Sequence, residues 1–183
     1  MNSLRQRIVT IARGELNCHG KPEYFLDTLP GNPAGYTKGG VVGAGINWCG
    51  IFCLWCLHRA ELARTWRWRI GIGFLYRLPR VRVPEHGDIA YFHPKQHQAI
   101  ISELEGSLIG CVNGDGAGGR VTEGLRPAKD AACFFSIGPL IAQAGGRTLG
   151  QRDVERMDLP EPPAWDQDDE FLDRLDEQEQ WPG

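Results

Sequence analysis

From Cys49 to Leu57 the chain reads Cys-Gly-Ile-Phe-Cys-Leu-Trp-Cys-Leu, nine residues without a charge. Wound as a helix, such a run is apolar on every side, and only a position surrounded by other elements can cover it. The spacing therefore predicts a buried central helix from Cys49 to about Ala63, apolar nearly all round until Arg59. A chain of 183 residues is long enough to supply the surrounding layers within one domain.

Those layers are legible on either side. Leu4, Ile8, Ile11 and Ala12 recur at helical spacing, and Ser3 with Gln6 reads as a capping box, so a helix is expected over 4–16. Gly and Pro punctuate 17–47, a long loop with one short helix around Glu23 to Thr28. Strands are expected at Asp88 to Phe92, His97 to Glu103, Ser107 to Asn113, Arg120 to Leu125 and Phe134 to Leu140. The order is helices and then a meander: an α+β fold, N-terminal helices on one face of a central antiparallel sheet of about five strands.

Charge divides the chain further. Residues 1–150 carry 17 Lys and Arg against 11 Asp and Glu, whereas 151–183 carry 3 against 12. The expected organisation is a mildly basic domain over 1–145 and an acidic, disordered tail over 146–183. No apolar run reaches the roughly 20 residues a membrane span needs, so no membrane role is expected. The first residues enter an amphipathic pattern and not a secretory signal. A cytoplasmic origin and reduced thiols are therefore expected for the six cysteines, five of which read as small buried hydrophobes.

Cys49 is the exception. It follows a Gly-rich loop and opens the helix, where unpaired N–H groups and the helix dipole favour a thiolate and could hold an oxyanion. Its base must come from one of five histidines. His19 lies in a loop, His58 late in the central helix, and His86 and His93 flank the first strand. His97 opens a strand whose alternation puts His97, Ala99 and Ile101 on one face. On the next strand Ile109, Cys111, Asn113 and, if the strand persists, Asp115 share a face, so Asn113 or Asp115 could orient the imidazole.

The segment Asn47-Trp48-Cys49-Gly50-Ile51-Phe52-Cys53-Leu54-Trp55-Cys56 resembles the Trp-Cys-x-x-Phe-x-x-Trp-Cys stretch of CHAP and NlpC-type cell-wall hydrolases. Pro84-Glu85-His86-Gly87-Asp88-Ile89-Ala90-Tyr91-Phe92 is similar to their Pro-x-x-Gly-Asp-Ile-x-x-Phe strand, and His97-Gln98-Ala99-Ile100-Ile101 to their catalytic-histidine strand. Asn113-Gly114-Asp115-Gly116 stands where they carry a polar turn. Gln98 departs from the family's small apolar residue. The resemblance implies a papain-like fold and a cysteine amidase or endopeptidase acting on peptidoglycan. It places the nucleophile at Cys49, the base at His97, the third residue at Asn113 or Asp115, and substrate contacts at Trp48 and Asn47. No metal or organic cofactor is implied. With no signal in the sequence, the expected settings are an antibacterial effector of type VI kind, with an immunity protein as partner, or a phage lytic enzyme with its delivery component.

Three rivals are weighed against this. Cys53-Leu54-Trp55-Cys56 could be half a zinc or redox site, but no second pair exists. The Arg/Trp stretch 64–82 could bind single-stranded nucleic acid, against which the overall charge of −3 argues. A transamidating or deconjugating enzyme, or a silent scaffold, would keep the fold and change the chemistry.

Overall fold

The computed structural model describes residues 3–29, 37–38, 41–42, 46–68 and 73–145. The expected acidic tail, most of the Gly-rich loop before Asn47 and the Ser3 side chain of the expected capping box lie outside the described residues.

Helix α1, Ser3–Gly14, buries Ile8, Val9 and Ala12 and leaves Gln6, Arg7 and Thr10 exposed, as its narrow apolar stripe requires. Helix α2, Pro22–Thr28, starts with proline in its first turn, where the missing N–H costs nothing. A minimal hairpin pairs β1, Thr37–Lys38, with β2, Val41–Val42. The central helix α3 is Cys49–Arg59, and every residue from Cys49 to Leu57 is buried. It ends four residues before the expected Ala63, because Ala60 caps it and Glu61 turns to a positive φ of 67°. Tyr24 of α2 stands edge-on to Phe52 and Trp55 of α3, at 5.5 and 4.7 Å between ring centroids. Edge-to-face contacts of this kind add to the area they bury.

After a 3-10 turn at Leu75–Arg77 the chain enters the sheet. Its strands are β3 Arg80–Val81, β4 Ile89–Phe92, β5 His97–Glu105, β6 Leu108–Asn113, β7 Thr122–Pro127 and β8 Cys133–Phe135. They lie in the order β3-β8-β4-β5-β6-β7, antiparallel at every pairing. The fold is thus α+β, with six strands in the main sheet where about five were expected. Two differences have clear causes. Arg80–Val81 forms an edge strand because β8 offers Phe134 and Phe135 as partners, which no local pattern announces. The run from Phe134 breaks after Phe135, and Gly138–Gly145 follows as helix α4, the last described element, with Leu140 and Ile141 buried.

The sheet has two unlike faces. Ile89, Tyr91, Ile100, Val112 and Phe135 join the large core beneath the helices. Ala90, Phe92, Ala99, Ile101, Ile109, Cys111 and Phe134 form a smaller cluster on the opposite, outer face. A buried ion pair fastens α1 to the sheet. Arg5 Nη1 donates to Asp88 Oδ1 at 2.7 Å and to the His86 carbonyl at 2.8 Å. Asp88 also accepts the N–H groups of Glu85 and Ile137. Each carboxylate oxygen is thereby satisfied, which a buried charge demands. Gly87, at φ +83°, makes the tight entry to β4, and a Cβ there would meet Ile137 and the Arg5 backbone.

Among the described residues no helix is long and apolar enough to cross a membrane. Among the described residues of the Arg/Trp stretch, Trp66, Trp68 and Phe74 are buried, and Arg77 lies over Trp66 at 5.3 Å. Cys53 and Cys56 of α3 are fully buried in the core, where desolvation pushes both thiols well above the ordinary range. Such thiols pack and do not react.

Candidate active site

Cys49 occupies the first turn of α3, and the helix aims it at the beginning of β5. Its Sγ lies 3.9 Å from the carbonyl oxygen of Gln96, the residue before His97. The backbone N–H groups of Gln98, Gly50 and Cys49 itself favour negative charge on this sulfur. The sulfur therefore sits against the backbone on both sides of His97. The close approach of α3 to β5 depends on Gly50: a Cβ there would fall 2.8 Å from the amide of Gln98. Gly114 plays the matching part on the next turn, where a Cβ would overlap the side chain of Phe52.

His97 lies on the outer face, and its Nε2 is 2.9 Å from Asn113 Oδ1. Asn113 is itself held, since its Nδ2 donates to the Cys111 carbonyl at 2.9 Å and to the Thr122 carbonyl at 3.4 Å. With the amide fixed in that sense, Oδ1 faces the ring and Nε2 is the protonated nitrogen. Nδ1 is left as the nitrogen that can take and return a proton. Register explains the meeting: Asn113 pairs with Ala99, two residues along from His97 on the same face.

The ring's hydrogen-bond partner is Asn113 and not Asp115. The strand stops at Asn113, and Asp115 turns away at φ +52°, a conformation that Asp tolerates better than most side chains. Its Oδ2 accepts the N–H of Trp48 at 3.3 Å, so it anchors the residue preceding the nucleophile. Burial pushes its carboxyl above the ordinary range, opposed by that N–H and by His97. Trp48, expected as a substrate contact, is 6% exposed, and its indole packs beside Tyr24 and Phe52. Its part is to wedge the helix start into the core. Asn47 beside it is exposed.

The electrostatics correct one expectation. A helix N-terminus was expected to lower the Cys49 pKa, yet burial outweighs the three N–H groups and raises it, with Asp115 raising it further. Burial likewise lowers His97, with the Asn113 hydrogen bond opposing. Desolvation disfavours the charged form of each group. Both shifts favour the uncharged form, thiol at Cys49 and imidazole at His97.

Two further neighbours border the site, of which only Arg126 escapes the sequence reading. Gln98 is buried against α3 at the position where the resemblance leads one to expect a small apolar residue. Arg126 on β7 brings Nη2 to 3.5 Å from Asn113 Oδ1 and its guanidinium carbon to 4.4 Å from the Phe92 ring centre. The alternation Thr122, Gly124, Arg126 holds the signal for it, but the expected strand ended at Leu125. Among the described residues no cluster of three or more His, Cys, Asp or Glu side chains is arranged to hold a metal ion.

Comparison with protein-family models, with curated proteins and with solved structures yields no match.

Proposed function

We propose that this chain is a papain-like cysteine amidase, that its nucleophile is Cys49 with His97 as proton carrier, and that it cleaves amide bonds in the peptides of bacterial cell wall. One observation carries the chemistry: His97, 2.9 Å from Asn113, opens the strand whose backbone flanks the Cys49 sulfur at a helix N-terminus. The wall peptide as substrate rests on the sequence resemblance alone.

The steps follow from the groups. His97 Nδ1 takes the Cys49 proton as the sulfur attacks the amide carbonyl carbon. Charge gathers on the carbonyl oxygen, and N–H groups at the start of α3 are suited to hold it. His97 then gives its proton to the leaving nitrogen, the C–N bond breaks, and a thioester remains on Cys49. Water adds to the thioester, delivering a proton to His97, and the C–S bond breaks to release a carboxylic acid and regenerate the thiol. Asn113 keeps the ring in one tautomer throughout.

As a wall hydrolase, the protein would serve as an injected antibacterial effector, guarded by an immunity protein, or in phage lysis. The decisive experiment incubates purified peptidoglycan and soluble muropeptides with the wild type and with Cys49→Ala, and reads the products by mass spectrometry. New fragments from the wild type alone are expected, with masses that name the bond. If the two proteins give identical products while Cys49 is reduced and alkylatable, the substrate assignment fails.

A further inference from the structure

Arg126 is the charged group beside the site that the amidase reading leaves unused. It starts on the edge strand β7, crosses the outer face over β6 and β5, and stacks on Phe92 of β4 at 4.4 Å. Phe92 pairs with His97 in the sheet register, and their ring centroids are 6.1 Å apart. The outer face is low along this path, since a Cβ at Gly124 would meet nothing within 4 Å and Ala99 is small.

Arg80 lies over Phe135 and Arg120 donates to His19, whereas two arginines of α1 reach carboxylates across the fold. Arg5 binds Glu85 and Asp88, and Arg13 binds Glu103 and Glu123. Among the described residues Arg126 has no such partner. Its polar contact is the side-chain Oδ1 of Asn113 at 3.5 Å, the outer limit of a hydrogen bond. The aromatic face offsets part of the cost of half-burying the guanidinium and holds its plane. What remains is a forked set of donors beside His97, suited to a carboxylate.

We propose that Arg126 binds a carboxylate of the substrate on the leaving-group side of Cys49. The preferred substrate then carries a free carboxylate on the amine-bearing half, close to the amide that is cut. This rests on the amidase reading for its direction: His97 protonates the leaving nitrogen, so the amine half lies against His97, and Phe92 and Arg126 are its neighbours there. A peptide whose carboxylate is capped as a neutral amide gives up the charge-assisted bonds and is a poorer substrate.

The first test does not need turnover. Cys49 in the full-length protein is alkylated with iodoacetate or with iodoacetamide, and the rate at this residue is followed by peptide mass mapping. Both reagents consume the thiolate, so their rate ratio cancels the thiolate population and reports the pull on an anion. Relative to N-acetylcysteine amide in the same tube, the wild-type ratio should favour iodoacetate. Arg126→Gln should lower it by about threefold or more, the scale of one charge removed from a partly solvated site. Arg126→Lys should retain most of it. A wild-type ratio no higher than that of the small thiol overturns the subsite even if Arg126→Gln fails to fold, as does an unchanged ratio in a folded Arg126→Gln. The second test compares cleavage of matched wall peptides bearing the carboxylate or its amide. Arg126→Gln should raise KM for the carboxylate form and spare the amide form. Cleavage that ignores the carboxylate refutes the subsite and leaves the amidase reading intact. A Cys49 ratio that depends on Arg126 without cleavage of any peptide retains the anion site and refutes the amidase reading.

Discussion

The two faces of the sheet are built for different purposes. The inner face, with Ile89, Tyr91, Ile100 and Val112, is dry and aliphatic, and it is closed by the aromatic rings of α2 and α3. The outer face carries small side chains, Ala90 and Ala99, and the polar set His97, Asn113 and Arg126. Stability resides mainly on the first face and the candidate chemistry on the second. Cys49 belongs to both, because α3 packs on the inner face while its first residue reaches past the end of β6 to the start of β5. A nucleophile so placed inherits its position from the core and its partners from the opposite side.

Substitutions can break this division, and the largest effect is expected at Cys49. Cys49→Ala should cut amide hydrolysis by about a thousandfold or more while the urea midpoint moves little. A large loss of stability with it would mean that the thiol serves packing. On the inner face Phe52→Ala should cost about 3–5 kcal/mol in urea denaturation, because the ring touches Tyr24, Trp48 and Trp55. Asn113→Ala tests the outer face, where a smaller loss, on the order of tenfold to a hundredfold in kcat, is expected with KM nearly unchanged. An equal loss in Asp115→Ala but none in Asn113→Ala would reverse their assignment.

The junction of the faces is sharpened by Gly50. Gly50→Ala puts a methyl group against the Gln98 amide and should destabilise by about 1–3 kcal/mol. Adding Gln98→Ala should cost less in that background than in the wild type, because the two share one space. Strict additivity in denaturation would show that the contact is slack.

The smallest effect is a pH slope. Burial holds His97 below its ordinary value, so the unfolded chain, with its imidazole near about 6.5, takes up a proton first as pH falls. The contribution is complete above the unfolded value and is lost as pH falls through the lower folded one. His97→Gln should therefore lose less stability than the wild type between neutral and mildly acid pH, read from urea midpoints. Arg126, third among the influences after burial and Asn113, also holds His97 down. In Arg126→Gln the acid limb of activity should move slightly to higher pH.

Much of the architecture was legible because it rests on local pattern. The uncharged run at Cys49 could only be a central helix, and the alternation of His97, Ala99 and Ile101 matches their shared outer face. The short strands Arg80–Val81 and Cys133–Phe135 were illegible or misbounded, since each is defined by its partner and not by its own residues. Helix α4 hid for the same reason, as Phe134 to Leu140 is apolar enough for either structure. At the site, Asn113 and Asp115 were indistinguishable by spacing. The end of β6 separates them, leaving Asn113 in register beside His97 and turning Asp115 under Trp48.

The sequence by itself determined the class of fold and which thiol opens the central helix, because periodicity and charge act over a few residues along the chain. Tertiary structure alone decided that Asn113 holds the ring, that Trp48 is core, and that burial raises the Cys49 pKa against the pull of its helix. It also decided that Arg126 lies beside His97. Register, desolvation and the contacts that a long side chain makes across the sheet depend on what stands opposite, which the chain's own local pattern does not specify.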